Sequence, residues 1–394
     1  MLKVAVFFGG DSVESDISVI TGIGAMSALD VSKYQALAVY VRDNKFWVVD
    51  SQKALSVGIY TKFNKAYFKQ VYIDNKKLVF AKSKFKEKSI DIDIALLCTH
   101  GGNCENGGLQ GLLELYDIPY TSTDIARSAI CMDKALTHTY LTKIGVNNVK
   151  YMLVDDKITE DEVVEIFNEF NNSVVVKPNS LGSSVGVQAV TDSKQIYKAI
   201  QNALRYDKFA LLEEKVDNLI EFNSGAVYCD NEILLSEVDI PLRSKEILDF
   251  DDKYLMFEGK AKQEKFEMTA SLKNKILDTT KKVYKELGLF GVVRVDYLYD
   301  REKEELYLNE INTIPGSMAY YLFASIGIDL TDLTDILIME GLKRYKENKA
   351  LIKKFDSSLL TLSENSSPKL LQKFHKWYII RLLFCKEGST YEQN

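Results

Sequence analysis

Cysteine is scarce in this sequence, and its few cysteines are not arranged in pairs. The 394 residues contain five, and no two of them form a Cys-X-X-Cys motif. An odd number of isolated cysteines argues against a disulfide framework. We therefore expect reduced thiols in a cytoplasmic protein.

Long apolar runs and targeting signals are also missing. No uninterrupted apolar stretch is long enough to cross a membrane, so we expect no transmembrane segment. Residues 3–8 open directly as an apolar strand, without the pattern of a secretory signal peptide. Membrane-embedded and secreted proteins are therefore disfavoured.

An excess of positive charge is absent. The chain has 50 Lys and Arg residues against 56 Asp and Glu residues, a formal net charge of −6. This balance argues against a nucleic-acid partner bound through phosphate neutralisation. The apolar fraction of 46% and the charged fraction of 27% are ordinary for a globular protein, and the length allows two or three domains. The composition indicates a soluble enzyme.

Three regions and a tail can be separated along the chain. Strand, glycine-loop and helix units in residues 1–123 predict a Rossmann-like parallel α/β domain that binds ligands beyond the carboxyl ends of its strands. Residues 124–208 and 209–350 mix helices with strands and predict two further subdomains. In the second of these, residues 238–269 are rich in charge and predict a long lid loop. Residues 351–394 form the tail.

The tail contains an apolar stretch with interleaved basic residues at 370–384. This pattern predicts an amphipathic helix, which would pack on the body of the protein. Binding at a membrane surface is the less favoured alternative.

Residues 309–316 (Asn-Glu-Ile-Asn-Thr-Ile-Pro-Gly) carry the strongest chemical signal. They continue an apolar strand, on which Glu310 and Asn312 share a face because alternate side chains point the same way. About one strand earlier, Arg294 and Asp296 have the same spacing. Carboxylate and amide oxygens are ligands suited to Mg²⁺. If the two strands pair, the sequence predicts a site for metal-bound phosphate; a solvated strand face is the alternative.

A loop of small residues, 182–186 (Gly-Ser-Ser-Val-Gly), follows an apolar strand that contains Lys177. Its glycines allow the backbone to approach phosphate oxygens closely, and Ser183 and Ser184 add hydroxyl groups. No Gly-Lys-Ser/Thr sequence follows, so this is not a Walker A loop. A returning strand predicts a hairpin, and a surface hairpin without a ligand is the alternative. Lys177 favours phosphate binding.

His100 follows a buried strand and precedes two glycines, at the expected ligand edge of the first domain. Glu105 is close enough in sequence to orient its ring. The alternative is a histidine that is merely hydrogen-bonded within a loop. Nothing in the sequence indicates a Ser–His–Asp triad.

Taken in order, these motifs resemble the D-alanine–D-alanine ligase family of the ATP-grasp superfamily. The resemblance covers about residues 1–345, and its specificity comes from the ordered series. The series comprises residues 9–14, 100–102 with Glu105, 109–111, 132–136, 177–178, 181–186, 252–254, 294–296 and 309–316. The resemblance implies that the N-terminal α/β domain is followed by a two-part ATP-grasp fold.

For the nucleotide, the resemblance implies ATP with two Mg²⁺ ions, which Mn²⁺ could replace. The metal ligands would be Asp296, Glu310 and Asn312, and Arg294 would neutralise a developing oxyanion. Contacts to the phosphates, adenine and ribose would come from Lys134, Lys177, Ser184, Glu214, Lys215, Val216, Glu221 and Lys253. Of these, the two lysines at 134 and 177 would hold phosphates and Glu221 the ribose.

For the amino acids, the resemblance implies that ATP phosphorylates the carboxylate of one D-alanine and that a second D-alanine attacks it. Glu14 would bind the first ammonium group, with Ser183 and Tyr254 connected to it across the site. His100 and Glu105 would lie near the first substrate, and Tyr321 and Leu322 near the second. A cytoplasmic homodimer serving peptidoglycan synthesis is also implied.

Three segments depart from the family pattern. Residues 106–108 read Asn-Gly-Gly instead of Asp-Gly-Thr, Phe250 replaces a frequent tyrosine, and residues 320–322 read Tyr-Tyr-Leu instead of His-Ser-Leu. The last change leaves D-serine, D-lactate and other amino acids open as second substrates. A different carboxylic acid as first substrate would leave Glu14 without an ammonium partner. A non-catalytic nucleotide-binding protein would not need all of the phosphate-binding and metal-binding side chains named above.

Overall fold

The structure, a computed structural model, describes residues 1–81, 88–241, 266–353 and residue 355. Met1–Tyr345 form one compact unit, and the described residues from Lys346 onward belong to a second unit. The predicted lid residues Lys253 and Tyr254, and the predicted tail helix, lie outside the described residues. Within the described ranges, no helix has the length and apolar character needed to span a membrane.

The first sheet has seven strands in the order β6-β5-β4-β3-β2-β1-β7. The predicted parallel arrangement is confirmed at one end of the sheet, where β1 pairs in parallel with β2 and with the edge strand β7. The remaining strands are antiparallel. The strands are β1 (Leu2–Gly9), β2 (Tyr34–Arg42), β3 (Lys45–Val49), β4 (Phe68–Asp74), β5 (Lys77–Phe80), β6 (Ser89–Asp91) and β7 (Ile94–Leu97).

Two of the antiparallel pairs, β2–β3 and β4–β5, are joined by tight turns within a charged, aromatic stretch that did not reveal them. Asp43 and Asn44 have φ of 52° and 54°, and they join β2 to β3 in a two-residue hairpin. Positive φ at both central positions is the requirement of a type I′ turn, which asparagine and aspartate tolerate. The sheet therefore extends well beyond its parallel end.

Helix α1 (Ser15–Ala28) packs on β1 and brings the N-terminal loop to the sheet edge. A Cβ on Gly22 would lie 2.5 Å from the Phe8 ring, so only glycine permits this helix–strand distance. The other helices of this region are α2 (Gly58–Thr61), a 3₁₀ turn (Gly102–Cys104) and α3 (Gly108–Leu115).

The second sheet has the order β10-β9-β11-β8, and its β9–β10 pair confirms the predicted hairpin around residues 182–186. Helix α5 begins at Lys134 because Asp133 caps it, accepting a hydrogen bond from the Leu136 N–H (2.9 Å). The elements are α4 (Ile125–Met132), α5 (Lys134–Lys143), β8 (Tyr151–Val154), α6 (Glu160–Glu169), β9 (Val174–Pro178), β10 (Gln188–Val190), α7 (Ser193–Ala203) and β11 (Ala210–Glu214).

The third sheet has the order β13-β12-β14-β15 and is antiparallel throughout. Its apolar face, which includes Tyr297 and Leu308, packs against helix α8 in a common core. The elements are β12 (Leu219–Cys229), β13 (Glu232–Asp239), α8 (Ala270–Leu287), β14 (Val293–Asp300), β15 (Glu305–Asn312), α9 (Tyr320–Ala324) and α10 (Leu330–Ala350).

A left-handed turn, Gly316–Ala319, connects β15 to α9. Ser317, Met318 and Ala319 have φ of 50°, 53° and 49°, a conformation that non-glycine residues adopt only at a cost. Burial of Met318 and Ala319 in the core, and a hydrogen bond from the Ser317 N–H to Thr21 Oγ1 (2.9 Å), hold the turn in place.

Candidate active site

The two acidic strands pair as the sequence predicts. β14 and β15 are antiparallel neighbours, with Asp296 opposite Glu310 and Arg294 opposite Asn312. Because opposing residues in a pair share a face, these four side chains lie together. The predicted cluster of two carboxylates, an amide and a guanidinium is confirmed.

A bulge in β15 adds a fifth polar side chain that periodicity alone did not reveal. The register shifts between the pairs Asp296–Glu310 and Tyr297–Leu308, so Asn309 has no opposing residue. Bulges commonly re-aim a side chain next to a site. Here the Asn309 Oδ1 atom accepts a hydrogen bond from Lys177 Nζ (3.3 Å), which joins the second and third sheets.

Arg294 is held by Asp296 in a two-pronged ion pair. Its Nε and Nη2 atoms donate to the two carboxylate oxygens over 2.7 and 2.8 Å, and Asn312 Nδ2 donates to Oδ2 over 3.1 Å. Such paired N–H···O bonds fix the guanidinium plane. The guanidinium is therefore oriented by side chains of the protein itself.

A polar cavity brings together seven of the side chains predicted from sequence. They are Glu14, His100, Glu105, Lys134, Arg294, Glu310 and Asn312. Seven of the remaining lining residues belong to motifs that the sequence singled out without giving each an individual role: Met132, Gly182, Ile311, Thr313, Ile314, Pro315 and Gly316. Among the lining residues, Cys131 lies outside those motifs, and its adjacency to Met132 was the available signal.

Glu14 lies at the N-terminus of α1, and its side chain makes no capping bond there. It instead accepts a hydrogen bond from the Ser183 hydroxyl, which connects the first domain to the small-residue loop. A Cβ on Gly182 would lie 2.7 Å from both Glu14 carboxylate oxygens. The loop therefore needs glycine at this position to accommodate the buried carboxylate.

Glu105 does not orient the His100 ring. Its carboxylate accepts the Gly101 N–H over 2.6 Å, while the His100 Nε2 atom contacts Thr21 Oγ1 at 2.9 Å and the ring also bonds the Ile314 backbone. Burial lowers the pKa of His100 to about 4, so the ring is neutral at pH 7. His100 thus links α1 to the segment after β15.

Burial, reinforced by the neighbouring Glu14 carboxylate, raises the pKa of Glu105 to about 8. Folding therefore opposes the ionisation of Glu105. The contribution of Glu105 to stability is greatest below pH 4.5, its ordinary pKa, and is lost as the pH rises toward 8. We expect Glu105→Gln to remove this pH-dependent loss of stability in the protein without bound ligands. Urea unfolding across this pH range would show the variant gaining stability relative to wild type as the pH rises. The exposed Glu165→Gln is the control, and a constant difference for Glu105→Gln would contradict the expectation.

The two predicted phosphate lysines are both buried. Lys134 Nζ donates to the Leu181 carbonyl (2.7 Å), and burial lowers its pKa. Lys177 Nζ lies 2.5 Å from Glu213 Oε2. Glu213 also contacts His138 Nε2 at 2.8 Å through its other oxygen. Sequence reasoning missed Glu213 and His138; the signal was an acidic residue within the apolar strand β11.

The other predicted ligands lie outside the cavity lining. Ser184 has a left-handed φ of 56° in the small-residue loop. Glu214 ends β11, and Lys215 and Val216 follow it partly buried, while Glu221 lies on β12 opposite Leu298. Tyr321 is 42% exposed and packs edge-on to Tyr320. Leu322 is in the hydrophobic core, so its side chain cannot contact a substrate.

The second and third sheets, joined at the Lys177–Asn309 contact, have the arrangement of an ATP-grasp protein. The chain belongs to the D-ala D-ala ligase family: the N-terminal model of that family matches residues 3–123, and the C-terminal model matches residues 140–339.

Individual relatives agree with this assignment. A D-alanine–D-alanine ligase of Thermosipho melanesiensis is 32% identical over 379 residues, covering 92% of this chain and 99% of the relative. The D-alanine–D-alanine ligase structure from Coxiella burnetii has a TM-score of 0.76 at 23% identity, covering 93% and 100% of the two chains. The Bacillus anthracis ligase complexed with ATP has a TM-score of 0.64 at 23% identity, covering 88% and 100%. These structures have the same fold.

Proposed function

We propose that this chain is an ATP-dependent ligase that joins two D-alanine molecules into D-alanyl-D-alanine for peptidoglycan synthesis. The observation that carries the proposal is the convergence of Glu14, Arg294 and Glu310 on one cavity. A buried carboxylate for an ammonium group thus lies beside a guanidinium for phosphate and an acidic strand for the metal ion that the phosphates carry. Membership of the D-ala D-ala ligase family supports the same reaction.

The reaction is balanced in two steps. The carboxylate of the first D-alanine attacks the γ-phosphorus of ATP, forming an acyl phosphate and releasing ADP. The amine of the second D-alanine then attacks the acyl carbon and forms the C–N bond, giving a tetrahedral intermediate that releases phosphate when its C–O bond breaks. The ammonium group of the second D-alanine gives up two protons in all and keeps the third as the amide N–H, and the products are dipeptide, ADP and phosphate. Enzymes of this kind act mainly by positioning and charge neutralisation.

The residues of the site divide this work. Glu14 binds the ammonium of the first D-alanine, held in place by Ser183. Arg294 neutralises the negative charge that develops on the transferred phosphoryl group and on the oxygen of the tetrahedral intermediate. Lys134 and Lys177 hold the phosphates of ATP. Glu214, Lys215 and Val216 contact the adenine, and Glu221 contacts the ribose.

The oxygen donors suit magnesium. The proposed ligands are the carboxylates of Asp296 and Glu310 and the amide of Asn312, which lie on one face of the paired strands β14 and β15. One carboxylate pair and one amide form a hard oxygen set of the kind Mg²⁺ prefers. When bound, Mg²⁺ or Mn²⁺ supplies charge neutralisation to the ATP phosphates.

A coupled assay of phosphate release tests the proposed function. We expect ADP and phosphate to form only when ATP, Mg²⁺ and D-alanine are all present, because Glu14 selects an ammonium-bearing substrate and the acidic strands need a metal. L-alanine, and D-alanine with excess chelator, are the matched controls. Absence of D-alanine-dependent phosphate release would reject the proposal.

Mass analysis of the products from D-alanine mixed with D-serine or D-lactate identifies the second substrate. We propose that the second substrate is D-alanine and that Tyr321 lines its subsite. We also propose a cytoplasmic homodimer, which size-exclusion chromatography with light scattering would test.

A further inference from the structure

The buried contacts of Lys177 continue into a chain of charged and polar side chains. Lys177 Nζ lies 2.5 Å from Glu213 Oε2, and Glu213 Oε1 lies 2.8 Å from His138 Nε2. The side chains of Lys177, Glu213 and His138 are 8%, 4% and 0% exposed. Removing such charged groups from water costs free energy, which close pairing offsets only when the geometry is good. The contacts between these three side chains are therefore needed to keep them buried.

The geometry of α5 links this chain to the other predicted phosphate lysine. Lys134 and His138 are four residues apart on the same helix, which places them on one face. Lys134 reaches the small-residue loop through the Leu181 carbonyl, while His138 reaches β11 through Glu213. One face of α5 therefore contacts both the small-residue loop and strand β11, which flank the predicted phosphate site.

Glu213 also balances charge between the lysines. Burial would raise its pKa, but Lys177 and then His138 outweigh burial and lower it to about 2, so it is ionised at pH 7. An anion at this position offsets the repulsion between two buried ammonium groups when no phosphate is present. Its two oxygens are directed to different partners, which fixes the direction of approach of Lys177.

We propose that His138 and Glu213 are positioning residues that hold the Lys177 ammonium group ready for the nucleotide phosphates. His138 holds the Glu213 carboxylate in place, and Glu213 in turn holds the Lys177 ammonium group. Asn309, on the third sheet, accepts a hydrogen bond from the same ammonium group. The ring of Tyr151, stacked on His138 with centroids 4.8 Å apart, keeps the imidazole in this orientation. This inference rests on the proposed phosphate-binding role of Lys177.

Steady-state kinetics of the full-length enzyme tests the inference. We expect Glu213→Gln and His138→Phe each to raise the KM for ATP by about tenfold, the loss typical when a supporting residue is removed. The KM for D-alanine should stay unchanged. His138→Phe retains a ring to stack on Tyr151 but lacks the donor to Glu213. His138→Gln restores a side-chain N–H and should recover most of the affinity for ATP.

Tyr151→Phe is the matched control, since it keeps the stacked ring and loses only the hydroxyl, which contacts Thr139. Its KM for ATP should equal that of wild type. If Glu213→Gln and His138→Phe lower the melting temperature but leave the KM for ATP unchanged, the pair is merely structural and the inference is wrong. A lower KM for ATP would also overturn it, because Glu213 would then compete with phosphate for Lys177.

Lys177→Met separates this inference from the proposed function. If Lys177→Met raises the KM for ATP and the Glu213 and His138 variants do not, only the positioning inference fails. If Lys177→Met leaves the KM for ATP unchanged, the phosphate-binding role assigned to Lys177 is wrong. Should Glu213→Gln not fold, the comparison of His138→Phe with His138→Gln decides the matter.

Discussion

Glu310→Gln should lower kcat for D-alanine-dependent ADP release by about a thousandfold, the upper range for loss of a charge-stabilising group. Glu310 lies in the cavity, opposite Asp296 in the register, and its substitution removes one of two carboxylates from the proposed metal set. Glutamine preserves the size of the side chain but not its charge, so the strand pairing should persist. The rate is measured at saturating ATP, D-alanine and Mg²⁺.

Glu305→Gln provides the control for this substitution. Glu305 lies on the same strand, but it is exposed and bonds to the Tyr307 hydroxyl at the far end from the site. Its kcat should match that of wild type. Retention of activity by Glu310→Gln, with an unchanged circular dichroism spectrum, would remove Glu310 from the metal set. Partial recovery at high Mg²⁺ would instead support a ligand role.

Arg294→Lys should lower kcat by about a hundredfold and change the KM values much less, because the charge it provides is used most in the transition state. Lysine keeps one positive charge but cannot form the paired bonds that Asp296 makes with the guanidinium at 2.7 and 2.8 Å. The ammonium would therefore be less well oriented toward the developing oxyanion. Single-turnover measurements of ADP formation isolate this chemical step.

The exposed Arg205 supplies a matched Arg→Lys control outside the site. Arg205→Lys should be fully active. A wild-type rate for Arg294→Lys would show that only the charge at this position matters. A rise in the KM for ATP without loss of kcat would assign Arg294 to ground-state binding.

Strand periodicity was sufficient to predict the central part of the site. The alternating order of Arg294 and Asp296, and of Glu310 and Asn312, predicts two polar faces, and the structure pairs them. The resemblance then placed Glu14 and Lys134 on the same cavity, although their separation in the chain gives no contact information by itself. Local pattern and motif order thus contributed different parts of the prediction.

The contacts of the site that the sequence did not reveal depend on packing between residues far apart in the chain or on the backbone. The bulge at Asn309 has no periodic signature, because it is defined only by the register with β14. The partner of Glu105 is a backbone N–H, which no residue pattern identifies. Glu213 and His138 are 75 residues apart and meet only after α5 packs beside the second sheet. Short tight turns similarly concealed the antiparallel extension of the first sheet.

The left-handed turn after β15 has a consequence for protein engineering. Three successive non-glycine residues in that conformation cost about 3 to 6 kcal/mol in total, taking 1–2 kcal/mol for each. The cost is offset by remote partners: the Met318 side chain is 1% exposed in the core, and the Ser317 N–H bonds to Thr21 on α1. A transplanted loop of residues 316–319 would therefore relax to another shape unless its α1 anchor and its apolar pocket were transferred with it.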